Sequence, residues 1–120
     1  MASFDTHKRK YEMFNHDAEN EANSIPTRIE AYFNACFHLI EAKAAKVGVH
    51  IHKHQLVRAI LDKNSQIFEA DTEKVWRSFQ QIENQIRPGQ IYGSLVDGKK
   101  LQRTKELFKL IEKICGDLSK

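Results

Sequence analysis

The segment from Pro26 to Gly48 constrains the fold most, because apolar residues recur there at helical spacing over the longest stretch of the chain. The stripe consists of Ile29, Phe33, Cys36, Ile40, Ala44 and Val47, widened by Tyr32, Ala35 and Leu39. A helix that is apolar over this width lies at the centre of a bundle. Ser24 can cap it, Pro26 suits its first turn, and Gly48 is a natural stop.

Four further segments show helical spacing around this central helix. The first runs from about Thr6 to Ala22 and carries Tyr11, Phe14, Ala18 and Ala22 on one face. After the turn VHIHKH, a shorter helix carries Leu56, Val57, Ile60 and Leu61. The next begins near Asp71 or Thr72, either of which could cap it, and its stripe is Val75, Phe79, Ile82 and Ile86. The last is capped by Asp97 and presents Leu101, Thr104, Phe108, Ile111 and Cys115, with Leu107 and Ile114 beside them.

Few residues interrupt these patterns, since the chain has only five glycines and two prolines. Pro88 and Gly89 are predicted to end the fourth helix, because proline cannot extend the hydrogen-bond ladder, and a loop is expected to follow them. The fold class predicted is all-α: one domain over residues 1–120, an antiparallel up-and-down bundle of about five helices. Residues 1–5 and 117–120 are expected to fray.

Composition restricts the setting more than the function. The net charge is +3, which permits an acidic partner without requiring one. No apolar run approaches a membrane span, and the basic N-terminal residues precede no apolar core, so we expect a cytoplasmic protein with no membrane contact. Cys36 and Cys115 fall on predicted apolar stripes, and we expect both to be small, reduced core residues.

The histidines give one weak indication of a metal. His50, His52 and His54 form an HxHxH run, which on a strand would aim three imidazoles to one side. Because this run lies in a turn that enters a helix, neither a metal nor any other cofactor is predicted. His38, in the middle of the central helix, is interpreted as a hydrogen-bonded core residue.

The most unusual stretch is QIENQIRPGQIYG, from Gln81 to Gly93. Arg87 ends a core helix within a polar cluster, and Tyr92 follows five residues later. An arginine of this kind could hold a phosphate by bidentate hydrogen bonds, with Asn84 and Tyr92 orienting it. In the structural alternative, Arg87 stabilises the end of the helix through the macrodipole and Tyr92 packs the loop.

Two stretches together resemble the HEPN-domain family. RIEAYFNACFHLIEAKAAKVGVHIHKH is similar to that family's aromatic, small-residue and histidine helix, followed by a glycine turn and a segment ending in histidine. The matching positions are Tyr32, Phe33, Phe37, His38, Gly48 and His54. NQIRPGQIYG resembles the motif that ends a later core helix of the family, with Arg87 at the arginine position. The resemblance covers about residues 25–115, with the helices in matching order.

The resemblance implies a small helical bundle that pairs into a homodimer. Many members of the family are metal-independent ribonucleases with an Arg-x4–6-His motif, and others bind nucleotides or act beside a nucleotidyltransferase in toxin–antitoxin modules. This chain departs from the motif, because Tyr92 stands five residues after Arg87 and no histidine follows. It resembles the subgroup of the family that carries an Arg-x4-Tyr form of the motif. A tyrosine with an ordinary pKa near 10 is a poor general base at neutral pH, so the substitution puts ribonuclease activity in doubt.

We therefore predict a HEPN-like dimer that binds RNA, a nucleotide or a partner protein without strong catalysis. One alternative is a metal-independent endoribonuclease that combines Arg87 with Tyr92, His38 or His54. Another is an antitoxin-like interaction module, partnered by a nucleotidyltransferase-type protein. Trp76 and Phe79 are large aromatic residues that point in different directions on one helix. If one bundle does not bury both, the exposed one is a candidate interface anchor.

Overall fold

A computed structural model describes residues 3–93 and 95–116 of the chain. Its five α-helices are α1 (Phe4–Glu19), α2 (Ile25–Ala45), α3 (Val57–Lys63), α4 (Thr72–Gln80) and α5 (Gly98–Cys115). Short 3₁₀ turns at His54–Leu56 and Glu69–Asp71 precede α3 and α4. The described residues contain helices and turns but no strand, so the all-α prediction is confirmed. Fraying was predicted for residues 1–5 and 117–120. Residues 1, 2 and 117–120 lie outside the described residues, and Phe4 and Asp5 belong to α1.

Three of the predicted helix ends are confirmed by their hydrogen bonds or backbone angles. The Ser24 side chain accepts a hydrogen bond from the backbone N–H of Thr27 at the start of α2. The Asp97 side chain accepts one from the N–H of Lys99 at the start of α5. Gly48 has φ +75°, a left-handed angle that other residues adopt at a cost, and it follows the last turn of α2.

The central helix is α2, which packs against α1 on one side and α5 on another. Phe33 stacks on Phe79 of α4 with ring centroids 5.0 Å apart, and Tyr32 meets Phe108 of α5 at 5.2 Å. The four residues of the predicted α4 stripe are all buried: Val75, Phe79, Ile82 and Ile86. The prediction that α2 is the centre of the bundle is therefore confirmed.

Several boundaries differ from the prediction. The first helix ends at Glu19, so Ala22 lies in the following turn and is exposed. Val47 lies beyond the end of α2 and is also exposed. The Asp71 side chain makes no capping hydrogen bond, because the preceding 3₁₀ turn runs directly into α4. In each case the apolar pattern predicted the helix but not the details of its end.

The prediction that Pro88 and Gly89 end the fourth helix is wrong. After α4 the backbone widens into a π-helical segment, Gln81–Ile86, and a second one spans Pro88–Gly93. Proline disrupts an α-helix because it lacks an N–H and its ring meets the carbonyl four residues earlier. The wider turn has already interrupted that ladder of bonds, so Pro88 fits within the helical path. The polar motif therefore lies on an irregular helix, not at a helix end followed by a loop.

Both cysteines are buried and unpaired in the core, as predicted. Burial raises the pKa of the Cys36 thiol well above its usual value and that of Cys115 to about 12. None of the described helices combines the length and the apolar character needed to cross a bilayer.

Candidate functional site

Arg87 is held on the surface of α2 by two interactions. Its Nε and Nη2 atoms donate to the two carboxylate oxygens of Glu30 at 2.9 and 3.0 Å, a bidentate ion pair. Its guanidinium carbon lies 3.9 Å from the centre of the Phe33 ring. The side chain is 13% exposed, so both the charge and the stacked face are largely removed from water. An anion that binds Arg87 must therefore compete with Glu30.

The three residues predicted to form the anion site have different surroundings. Arg87 faces α2, whereas Asn84 is exposed on a surface groove beside Trp76. Tyr92 is 75% exposed, which rules out the alternative in which it packs the loop. The helical path also continues past Arg87, so its side chain does not stabilise a helix end. The described contacts join neither Asn84 nor Tyr92 to Arg87.

The HxHxH run does not bring its three imidazoles together. His52 is exposed, His50 is half-buried, and His54 turns inward. The Nδ1 atom of His54 contacts the Glu83 carboxylate, and its ring meets the edge of Phe33 at 5.2 Å. Because Arg87 stacks on the same ring, Phe33 connects an arginine on the π-helical segment with a histidine–glutamate pair.

A polar groove between α3 and α4 was not foreseen as a site. The Arg58 guanidinium lies 4.1 Å from the centre of the Trp76 ring, and that of Arg77 lies 5.6 Å from it. Both arginines are more than half exposed, at 56% and 68% of their side-chain surface. Four amide side chains complete the lining: Gln80, Gln81, Asn84 and Gln85. The groove therefore combines an aromatic ring, two accessible cations and several amides.

A third arginine adjoins this groove from α5. The Nη2 atom of Arg103 donates to Oε1 of Gln81 at 3.3 Å. Arg77 pairs with Glu73 at 2.7 Å, and Arg58 lies 3.9 Å from Asp62, but no carboxylate of the described residues pairs with Arg103. We define these residues (Arg58, Trp76, Arg77, Arg103 and the four amides) as the Arg–Trp groove.

One feature of the sequence indicated this surface. Trp76 is one of two neighbouring large aromatics that one bundle need not bury together, and it is half-buried while Phe79 is fully buried. The polar residues 77, 80, 81 and 84 also follow helical spacing on one face. The approach of Arg58 and Arg103 depends on how α3 and α5 pack against α4, which local spacing does not fix.

Comparisons of the chain with protein-family models, with curated proteins and with solved structures gave no match. The HEPN resemblance therefore stays an expectation from the sequence.

Proposed function

We propose that this chain is a HEPN-like module that binds RNA through the Arg–Trp groove, without strong catalysis. The observation that carries the proposal is the contact of the Trp76 ring with two exposed arginines, beside a third arginine that donates to Gln81. Arginine is suited to phosphate because its fork donates two parallel hydrogen bonds, and its plane also stacks on bases.

The other groups of the groove fit a single strand better than a duplex. Unpaired bases stack on aromatic rings and on guanidinium planes, and amide side chains can hydrogen-bond to their edges. Gln80, Gln85 and Asn84 supply such amides next to Trp76. The lining is mostly polar, which fits nucleic acid better than an apolar peptide.

This proposal moves the main anion contact away from Arg87, which Glu30 already neutralises. Arg87 then serves mainly to join the π-helical segment to α2. The toxin–antitoxin context and a nucleotidyltransferase-type partner depend on the family resemblance, and they stay proposals. The antiparallel up-and-down arrangement, predicted from the helical pattern of the chain, also stays a proposal.

The groove contains the only tryptophan of the chain, so intrinsic fluorescence reports on it directly. Titration with a fluorescently silent single-stranded RNA should quench Trp76 as bases stack on it. The double variant Arg77→Gln/Arg103→Gln should weaken binding and flatten its salt dependence, by about 0.7 in log–log slope for each phosphate that the protein no longer neutralises.

The matched control is Lys99→Gln/Lys113→Gln, which removes the same charge from exposed positions of α5. It should bind RNA with nearly the affinity of the natural chain. Equal loss of RNA affinity in both variants would show that net charge alone determines binding, and it would contradict binding in the groove. RNA that neither quenches Trp76 nor shifts in a gel would contradict RNA binding altogether.

A second function, metal-independent RNA cleavage, is favoured by one observation. Glu83 contacts Nδ1 of His54, an arrangement that fixes one tautomer and leaves Nε2 available for proton transfer. Arg87 contacts the same Phe33 ring from another side and could stabilise charge on a phosphate. His54 would thus replace the histidine that the Arg87–Tyr92 motif lacks.

Cleavage is tested by incubating labelled RNA with the protein in EDTA. If His54 acts in catalysis, His54→Gln and Glu83→Gln should both remove the activity, while His52→Gln, at an exposed position nearby, should keep it. Intact RNA with the natural chain, or activity unchanged in His54→Gln, would exclude this function.

The homodimer implied by the resemblance has its own candidate surface. Tyr92, Leu95 and Val96 are 75%, 92% and 54% exposed, an unusual set of apolar side chains so close in sequence. Sedimentation velocity over a range of concentrations should detect a dimer that Leu95→Asp weakens. A chain that stays monomeric at every concentration would contradict the dimer.

A further inference from the structure

Three ligand-type side chains converge between the start of α1 and the second half of α2. The Nδ1 atoms of His7 and His38 lie 3.1 Å apart. Oε1 of Glu41 lies 3.5 Å from the first and 3.2 Å from the second. These three atoms thus form a nearly regular triangle, to which His7 contributes from α1 and His38 and Glu41 contribute from α2.

The size of this triangle matches one face of a zinc tetrahedron. Zinc binds histidine nitrogen and carboxylate oxygen at roughly 2.0–2.2 Å, so ligand atoms around it are separated by about 3.3 Å. The separations of 3.1, 3.2 and 3.5 Å bracket that value. Among the described residues, these three side chains form a group of three potential metal ligands whose donor atoms all lie within 4.8 Å of one another.

Hydrogen bonding within the cluster leaves one atom unsatisfied. Oε1 of Glu41 is buried and has no hydrogen-bond partner, although two imidazole nitrogens lie close to it. The three side chains are only 8%, 14% and 9% exposed, so bulk water does not solvate them. A buried carboxylate oxygen without a partner is costly, and a cation at the centre of the triangle would remove that cost.

Neighbouring rings hold the imidazoles in place. The His38 ring stacks on Phe14 at 5.7 Å with an interplanar angle of 5°, and on His7 at 5.4 Å.

We infer that His7, His38 and Glu41 form a site for a divalent transition metal, zinc by its ligand set, that joins α1 to α2. Two histidines and one glutamate are a common set of protein ligands for zinc, with a fourth position left to water. The bound ion would fix the first turns of α1 against the centre of the bundle. This inference is independent of the Arg–Trp groove.

The test is calorimetric titration of chelator-treated, dialysed protein with zinc chloride. One ion should bind per chain and should raise the melting temperature. Glu41→Gln keeps the shape of the side chain, and it should weaken binding by more than the roughly 100-fold that loss of an outer-shell partner costs. His38→Gln should do the same, whereas His52→Gln should bind zinc normally.

The His52→Gln control separates this site from the HxHxH run. Binding that is lost in His52→Gln and kept in Glu41→Gln would assign the metal to the run and overturn the inference, and absence of binding by the natural chain would also overturn it. If the buried variants fail to fold, the natural chain loaded with cobalt(II) still decides. Intense visible bands of tetrahedral cobalt support the site, and the weak bands of octahedral cobalt contradict it.

Discussion

Arg58 and Arg87 make the same kind of contact in two very different places. Each guanidinium lies about one van der Waals layer from an aromatic ring, 4.1 Å from Trp76 and 3.9 Å from Phe33. Arg87 is 13% exposed and forks onto Glu30, whereas Arg58 is 56% exposed and only approaches Asp62, at 3.9 Å. One cation is therefore committed to the bundle, and the other remains accessible to a ligand.

The difference shows why a motif residue need not be the binding residue. A stacked arginine contributes to folding when its charge is neutralised and desolvated within the chain, and to recognition when its fork stays open. The arginine singled out by the sequence belongs to the first kind. Arg58 of the Arg–Trp groove belongs to the second. Measurements on Arg87, Arg58 and Glu30 can break or sharpen this division.

The largest effect is expected for Arg87→Ala, which leaves Glu30 unpaired and uncovers Phe33. We expect a loss of about 3 kcal/mol in the free energy of unfolding, from the cation–π contact and the charged hydrogen bonds together. Arg58→Ala should cost about 1 kcal/mol or less, because its partners are exposed. Urea denaturation measures both values, and equal losses would erase the distinction between the two arginines.

The next largest effect concerns the pKa of His7. Burial lowers this pKa by more than the nearby Glu41 carboxylate raises it. The folded-state pKa lies below the ordinary 6.5, so the unfolded chain takes up the proton first as the pH falls. In chelator-treated protein the free energy of unfolding should stay constant above pH 6.5 and decrease below it, by at most about 1.4 kcal/mol per pH unit. The decrease should be smaller in His7→Gln; identical pH profiles for both proteins would contradict the lowered pKa.

A smaller effect should follow from releasing Arg87. Glu30→Gln replaces the charged acceptor of its fork with a neutral one, at a stability cost of about 1 kcal/mol. If Arg87 can reach RNA once Glu30 is neutral, the affinity should rise more than in Glu12→Gln, which removes an equal charge at an exposed position. Equal changes in the two variants would leave Arg87 with its structural role alone.

The smallest effect is expected at Tyr92, the residue that stands where the family motif has histidine. Its side chain is 75% exposed, so Tyr92→Ala should change the free energy of unfolding by roughly 0.5 kcal/mol or less. A larger loss at high protein concentration only, measured by thermal denaturation, would show that Tyr92 is buried in a dimer.

Local patterns predicted the helices and the buried stripes well. Phe79 and Ile82 follow a 3.6-residue period, and Ser24 and Asp97 each need only the next few residues to act as caps. Pro88 was misread because its effect depends on the backbone that precedes it, and a π-helical segment leaves no clear mark in the sequence.

The candidate sites were less predictable, because they join residues that are distant in sequence. Arg87 and Glu30 are 57 positions apart, and His7 and His38 are 31 apart. Spacing along one helix indicates that His38 and Glu41 share a face, but it does not indicate which helix covers them. The sequence therefore predicted that α2 is central, while the neighbours of each polar side chain followed only from the packing.

The burial of both cysteines has a practical consequence for all of these experiments. A thiol whose pKa is raised by burial carries little thiolate at neutral pH, so Cys36 and Cys115 should resist alkylation while the bundle is folded. A single cysteine introduced at an exposed position can then be labelled selectively without altering the natural sequence elsewhere. The rate at which the native thiols are modified then reports how often the core opens, and mass spectrometry measures that rate in the same sample.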